Sequence, residues 1–162
     1  LPRTPPKVNA KDVKPGKIFS GNDWEMTAGH AEHAQPWLDS LAYRIDSPDG
    51  SIVFTGDTEP CPSVVDLAKD ADVLLHMCHY VNGAVEDPRI RAGCSGHLVA
   101  ARTAIVAGVS TLVLVHITEQ LERPGIRERV LYEAGEIFDG NIIFGEDLLD
   151  IPLAGIKPEK IQ

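Results

Sequence analysis

Short apolar runs alternate with helix-forming segments in the second half of the chain, and this alternation limits the fold more than any other feature. Residues 72–76, 111–116 and 141–144 are apolar runs of strand length. Between them, residues 95–109 carry apolar side chains at the 3.6-residue spacing of a helix, and Pro124 and Gly125 begin a further predicted helix that extends to about residue 138. Strands that alternate with helices are typical of layered α/β folds. The second half is therefore predicted to be α/β.

The first half is richer in strands. Four are predicted there, at residues 17–20, 24–28, 41–46 and 51–55. The turn sequence Ser-Pro-Asp-Gly at residues 47–50 joins the last two into a hairpin. Ser63 is expected to cap a short helix, and Ser95 to cap the helix at residues 95–109. A strand-rich half followed by alternating strands and helices indicates a layered α/β sandwich.

The 162 residues suffice for one domain with its own core. Residues 1–16 are rich in proline and lysine and are predicted to form an extended linker. Residues 17–150 form the predicted domain, and residues 151–162 an irregular tail.

Charge and cysteine content limit the classes of partner and compartment. Lys and Arg number 15 against 24 Asp and Glu, which gives a net charge of −9 and argues against nucleic acid as a partner. Three cysteines without a Cys-x-x-Cys pair predict free thiols, and with them a cytoplasmic location. No run of 18 apolar residues occurs, so no membrane span is expected.

Acidic or imidazole side chains follow several of the predicted strands. His33, Asp57, His76 and His116 each stand at or just beyond a strand end. Strand ends are rigid and open into the crevice where α/β sheets bind ligands. Imidazole and carboxylate together suit zinc and its first-row neighbours, and a carboxylate can bridge two ions. The pattern predicts a metal site, while a lone histidine or a turn aspartate remains the structural alternative for each residue.

Three segments resemble the metallo-β-lactamase superfamily, in the branch that contains ribonuclease Z and arylsulfatase-like hydrolases. Thr-Ala-Gly-His-Ala-Glu-His at residues 27–33, followed by Ser-Leu-Ala-Tyr-Arg-Ile at 40–45, is similar to the third metal motif of that branch. Phe-Thr-Gly-Asp-Thr at 54–58 resembles the fourth motif, and Val-Leu-Val-His at 113–116 the fifth. The resemblance spans residues 13–149 and implies an αββα sandwich, here mainly its C-terminal half.

By this resemblance, His33, Asp57 and His116 are metal ligands, with Asp57 bridging two ions. The implied cofactor is zinc, two ions in the complete family site, with manganese or iron as alternatives. His97, in Ser-Gly-His-Leu-Val, matches an additional histidine that donates a proton to the leaving group, and His79 is a second catalytic candidate. A metal-activated water would attack an ester-type substrate.

The sequence departs from the family pattern in three ways. The His-x-His-x-Asp-His signature that supplies most ligands is absent, so the missing N-terminal half or a second copy of the chain is the expected partner. Met77 stands where ribonuclease Z has the glutamate of its His-Glu-Ala-Thr motif. Only 57 − 33 = 24 residues separate His33 from Asp57, too few for the arm that clamps tRNA in some ribonuclease Z proteins.

Three functional hypotheses follow. The first is a metal-dependent hydrolase of a small carboxylic, sulfate or phosphate ester or a lactone. The second is a tRNA 3′-processing endonuclease of the same superfamily. The third is a metal-free half-fold that acts by association, because half of a sandwich would expose apolar strand faces and favour a homo-oligomer or a bound N-terminal fragment.

Overall fold

The computed structural model describes residues 7–84 and 88–153. The outer parts of the predicted linker and tail, residues 1–6 and 154–162, lie outside the described residues. Within those two stretches, no helix is both long enough and apolar enough to cross a membrane.

The described residues contain a seven-stranded mixed sheet whose strands lie side by side in chain order. The strands are β1 (Gly16–Ser20), β2 (Glu25–Ala31), β3 (Ser40–Ser47), β4 (Gly50–Phe54), β5 (Val73–Met77), β6 (Thr111–Val115) and β7 (Asn141–Phe144). Strands β1 to β4 pair antiparallel, and β4 to β7 pair parallel. The predicted α/β class is confirmed, with every predicted strand present.

Four helices join the described strands: α1 (Pro62–Ala68), α2 (Pro88–Arg91), α3 (His97–Ala107) and α4 (Ile126–Gly135). The short α2 had no signal in the sequence pattern. Both predicted serine caps are wrong. Cys61 and Gly96 occupy the N-cap positions of α1 and α3 without a side-chain cap. Ser63 lies inside α1, where its hydroxyl donates to the His30 carbonyl at 2.6 Å and so ties the helix to β2.

The main core lies between the second half of the sheet and the helices. Its strand residues are fully or nearly buried and comprise Val53, Leu74, Leu112, Leu114 and Phe144. The face of α3 that meets them is built from small residues, Ala100, Ala101, Ala104 and Ala107. Alanine side chains let the helix pack close to the strands, which fixes the strand ends relative to one another.

The opposite face of the sheet carries an apolar row that no helix covers within the described residues. Because side chains alternate along strands, Phe54, Leu75, Val113 and Ile143 point away from the main core. Phe54 remains 47% exposed, whereas Val113 is only 1% exposed. Residues 145–151 pass over Leu75 and Val113 and enclose a groove of about 720 Å³. Residues 145–151 therefore cover much of this apolar face, and of the four residues in the row only Phe54 is largely exposed.

His76, at a predicted strand end, lies inside the protein rather than at the crevice. It is 1% exposed, and its Nδ1–H donates to the Met77 carbonyl at 2.9 Å. Burial lowers the pKa of His76 to about 4, so the ring is neutral in the folded protein at neutral pH.

Acid should therefore destabilise the fold through His76. Below about pH 6.5, His76 binds a proton in the unfolded chain but not in the folded chain. The free energy of unfolding therefore falls as the pH drops from about 6.5 towards 4. We expect His76 to lower the free energy of unfolding by about 2–3 kcal/mol between pH 7.5 and pH 4.5. Urea unfolding at the two pH values measures this. The His76→Gln variant should lose that part of the pH dependence, and an equal slope in both proteins would contradict the assignment.

Candidate metal centre

Three side chains from three strand ends meet at one edge of the sheet. His33 follows β2, Asp57 follows β4 and His116 follows β6. The Asp57 carboxylate lies between the two rings: its Oδ2 is 3.8 Å from His33 Nε2, and its Oδ1 is 3.4 Å from His116 Nε2. All three side chains are partly exposed. The structure thus brings together the three residues predicted as metal ligands.

Left-handed backbone conformations turn two of these side chains towards the edge. Gly56, with φ of 60°, reverses the chain between β4 and Asp57. His116 itself has φ of 57°, a conformation that costs a non-glycine residue about 1–3 kcal/mol. The adjoining backbone is held by a hydrogen bond from the Cys78 N–H to the Val115 carbonyl at 2.7 Å. Strain maintained in this way concentrates at functional sites.

The orientation of His33 is set from the side away from Asp57. Its Nδ1–H donates to the Gly93 carbonyl at 2.6 Å, so the lone pair lies on Nε2, which faces the carboxylate. Its backbone N–H donates to Gln35 Oε1 at 2.7 Å. Metal-binding imidazoles are commonly held by such a bond from the distal nitrogen, which fixes the tautomer and the ring orientation.

The donor set fits part of a two-metal centre. Two neighbouring ligand atoms on one tetrahedral zinc lie about 3.4 Å apart, given bonds of about 2.0–2.2 Å. The His116–Asp57 separation of 3.4 Å has this value, and the His33–Asp57 separation is somewhat longer. Each Asp57 oxygen faces a different imidazole, as a bridging carboxylate requires. In the described stretches, no three His, Cys, Asp or Glu side chains are arranged to hold one ion, so further ligands would be needed.

His79 lies directly behind His116. The two Nδ1 atoms are 3.3 Å apart, and the rings meet edge to face with centroids 4.9 Å apart. Partial burial lowers the pKa of His79, and the neighbouring His116 lowers it further. When the His116 Nδ1–H donates to His79 Nδ1, the lone pair of His116 lies on its Nε2, which faces Asp57. His79 then carries its own proton on its Nε2. The structure therefore brings this predicted catalytic residue to the site.

His97 occupies a different environment from the other predicted site residues. Its side chain is fully buried at the start of α3. The ring Nδ1 accepts the Asn82 N–H at 3.2 Å, and Nε2 lies 2.7 Å from Glu133 Oε2. Burial lowers the pKa of His97, and the hydrogen bond to Glu133 partly offsets this effect. Both ring nitrogens are thus occupied away from Asp57, so this geometry gives the predicted acid role no support.

The residues that hold the histidines were not predicted from the sequence. Gly93 supplies the carbonyl behind His33, and Glu133 and Asn82 bind the two nitrogens of His97. Every residue has a backbone carbonyl, so the residue type does not show which carbonyl accepts a hydrogen bond from a distant histidine. The glutamate lies 36 positions from its partner, and no periodic pattern links the two.

Comparisons with known proteins agree with this architecture. No family model matches the chain. A ribonuclease Z of Mycolicibacterium gilvum (strain PYR-GCK) is 33% identical over 150 residues, which cover 90% of this chain and 52% of the relative. A ribonuclease Z of Haloarcula marismortui is 36% identical over 103 residues, 62% of this chain and 31% of that protein. The chain spans about half the length of curated relatives that it matches, such as the first of these.

Solved structures give the same result. The metallo-β-lactamase fold protein YhfI from Bacillus subtilis is 25% identical with a TM-score of 0.68, over 83% of this chain and 52% of that one. The short form of human tRNase Z is 20% identical with a TM-score of 0.61, over 85% of this chain and 45% of that one. At this identity the similarity shows the fold alone. The sheet order, the strand-end residues and these relatives lead to one conclusion: this chain belongs to the metallo-β-lactamase superfamily, as the C-terminal portion of its fold.

Proposed function

We propose that His33, Asp57 and His116 are this chain's share of the metal centre of a metal-dependent hydrolase. The observation that carries the proposal is the Asp57 carboxylate, which presents one oxygen to each imidazole. Zinc, manganese or iron would suit these donors, and bound ions of this kind polarise a substrate oxygen and lower the pKa of a bound water. The sequence-based assignment of the ligands thus becomes a structural proposal with defined donor atoms.

The chain's own side chains would orient the ligands and hydrogen-bond to a leaving group. The Gly93 carbonyl keeps the His33 lone pair on Nε2, and His79 does the same for His116 by accepting its Nδ1–H. In that arrangement His79 is a neutral imidazole, whose Nε2–H can donate a hydrogen bond to a leaving group. We therefore assign this role to His79 rather than to His97, whose ring nitrogens are both bonded inside the protein.

The first candidate substrate is the phosphodiester at the 3′ end of precursor tRNA. Its support is the set of relatives named ribonuclease Z, one of which matches 90% of this chain at 33% identity. The net charge of −9 disfavours a broad RNA-binding surface on this chain. We therefore assign most of the RNA contacts to a partner segment.

A groove beside His116 keeps a small ester as the second candidate. Its volume of about 720 Å³ is that of a site for a small molecule. Its floor is apolar and includes Leu75, Val113 and Val115. Its rim bears three carboxylates and one guanidinium, from Glu122, Glu146, Asp147 and Arg127. Arg127 is paired with Glu146 at 2.7 Å, so the rim favours an uncharged group over a polyanion.

Metal analysis and two substrates separate these candidates. The purified chain is dialysed against zinc or manganese, its metal content is measured, and it is assayed with precursor tRNA and with p-nitrophenyl acetate. About two ions per chain and tRNA cleavage at the 3′ end would support the first candidate. Metal-dependent turnover of the ester alone would favour the second. Fewer than one ion per chain, with no turnover, would leave only the role by association.

The apolar row on the open sheet face supports assembly with a second sheet. Phe54, Leu75, Val113 and Ile143 lie in register across four strands, and aligned sheets bury such faces about 10 Å apart. We propose that the missing half of the sandwich packs here, with a second copy of the chain as the alternative. Either one would compete with a small ester for the groove over Leu75 and Val113. Sedimentation at several concentrations tests the second possibility, because a homo-oligomer dissociates on dilution.

The three free cysteines are relevant to the cellular compartment in which the protein acts. Cys61, Cys78 and Cys94 are all free, and burial raises the pKa of Cys78 to about 12, so that thiol is inert. We propose a reducing compartment, the cytoplasm, as the site of action.

A further inference from the structure

We propose that Glu133 and His97 form a positioning pair, which holds the segment 79–82 in place and thereby keeps His79 against His116. The inference rests on the proposed function, because it concerns how that site is held together. It assigns a task to a glutamate on α4, a helix that contributes none of the three proposed ligands.

The pair itself is closely defined. The buried His97 ring places Nε2 at 2.7 Å from Glu133 Oε2, and Arg129 Nε donates to Glu133 Oε1 at 2.6 Å. Both carboxylate oxygens are therefore occupied. Because a carboxylate only accepts hydrogen bonds, the proton of the neutral His97 must lie on Nε2, which leaves Nδ1 as an acceptor.

That acceptor binds the segment that leads to the site. His97 Nδ1 accepts the Asn82 N–H at 3.2 Å, and Asn82 Oδ1 accepts the Leu98 N–H at 2.9 Å in the first turn of α3. The backbones of Tyr80 and Gly96 also form a β-bridge. A Cβ on Gly96 would lie 2.5 Å from Asn82 Oδ1 and 2.6 Å from the Tyr80 carbonyl oxygen, so only glycine permits this approach.

The same segment carries His79 at its start. The His79 N–H donates to the Ser95 carbonyl at 2.8 Å, and its carbonyl accepts the Thr118 hydroxyl at 3.1 Å. With its backbone held on both sides, the ring rests edge-on against His116. Loss of the Nε2–H tautomer at His97 would remove the acceptor for Asn82 and release the far end of this segment.

The test reads the histidine rings directly and needs no turnover. Two-dimensional NMR of the metal-free chain with ¹⁵N-labelled histidine reports the tautomer of each ring. In the Glu133→Ala variant, we expect His97 to lose its single Nε2–H tautomer and the ring signals of His79 to shift. The affinity for cobalt, measured by titration of its absorbance, should fall by up to about tenfold. This is the lower end of the loss of about 10–100-fold that follows when a residue that orients a metal ligand is replaced.

Three further variants make the test specific. Glu133→Gln keeps an acceptor oxygen of the same shape and should retain the wild-type signals of His97 and His79. Glu133→Asp keeps the charge but moves the carboxylate away from His97, because the side chain is shorter. This variant should therefore behave like Glu133→Ala, and it takes the place of the alanine variant if the alanine variant does not fold. Glu136→Ala removes an exposed glutamate just past the end of α4 and should change neither ring.

Unchanged His79 signals in the alanine and aspartate variants, with a changed His97 tautomer, would overturn the proposal and leave the pair a local stabilising contact. A glutamine variant that shifts like alanine would also overturn it, because the charge rather than the hydrogen bond would then be responsible. If the wild-type chain binds no cobalt, the proposed function fails, while the NMR comparison still decides whether Glu133 acts on His79.

Discussion

Replacing Asp57 by asparagine should lower the affinity of the chain for zinc by more than about a hundredfold, because loss of even an outer-shell partner costs about 10–100-fold. The amide keeps the shape of the carboxylate but removes its charge, and it offers one oxygen where two now face His33 and His116. Any metal-dependent turnover should disappear with the metal. Competition titration with a chromogenic chelator measures the affinity of the variant and the wild type.

Asp66→Asn is the matched control for this prediction. It makes the same chemical change on an exposed position of α1 and should leave zinc affinity unaltered. Equal affinities in the Asp57 variant and the wild type would show that the carboxylate between the two imidazoles is a structural acceptor, and the metal-centre proposal would fail.

Replacing Gly93 by alanine should damage the same site through His33. Gly93 has φ of 75°, and a Cβ there would overlap the backbone carbonyl of His33. The backbone strain should cost about 1–3 kcal/mol of unfolding free energy. The overlap must also displace His33 from the Gly93 carbonyl that holds its Nδ1–H, so zinc affinity should fall by about 10–100-fold. Urea unfolding and the chelator titration measure the two effects separately.

The Gly83→Ala variant distinguishes the effect of backbone strain from the effect of displacing His33. Gly83 has a similar φ of 83°, but a Cβ there would meet nothing within 4 Å. This variant should lose comparable stability and keep its zinc affinity. If both glycine variants bound zinc equally well, contact between Gly93 and His33 would have no part in holding the ligand.

The strand-end pattern and the family resemblance together predicted which side chains meet. His33, Asp57 and His116 are far apart in the chain, yet each follows a strand of the sheet. Strands β2, β4 and β6 run in the same direction and therefore end at one edge of the sheet, so the meeting follows from strand direction rather than from any local contact. His76 had the same signal but lies one residue inside β5, on the buried side, because strand alternation decides which way a side chain points.

The role of His97 could not be read from its position. A histidine near the start of a helix has the same local sequence whether it faces a cleft or the next helix. The structure turns it towards Glu133 on α4, and burial together with two hydrogen bonds makes it a neutral internal group. The serine caps were wrong for a related reason: Ser63 donates to a distant carbonyl that becomes available only when α1 packs on β2.

The sequence by itself determined the α/β class and the positions of the strands, because hydrophobic periodicity is a local property. Together with the family resemblance, it also identified His33 and His116 as the residues that meet Asp57. Only the tertiary structure decided the details on which chemistry depends. These are the carbonyl that fixes the His33 tautomer, the left-handed backbone at His116 and the burial of His97. Each depends on contacts between residues distant in the chain, and such contacts exist only after the helices have packed on the sheet.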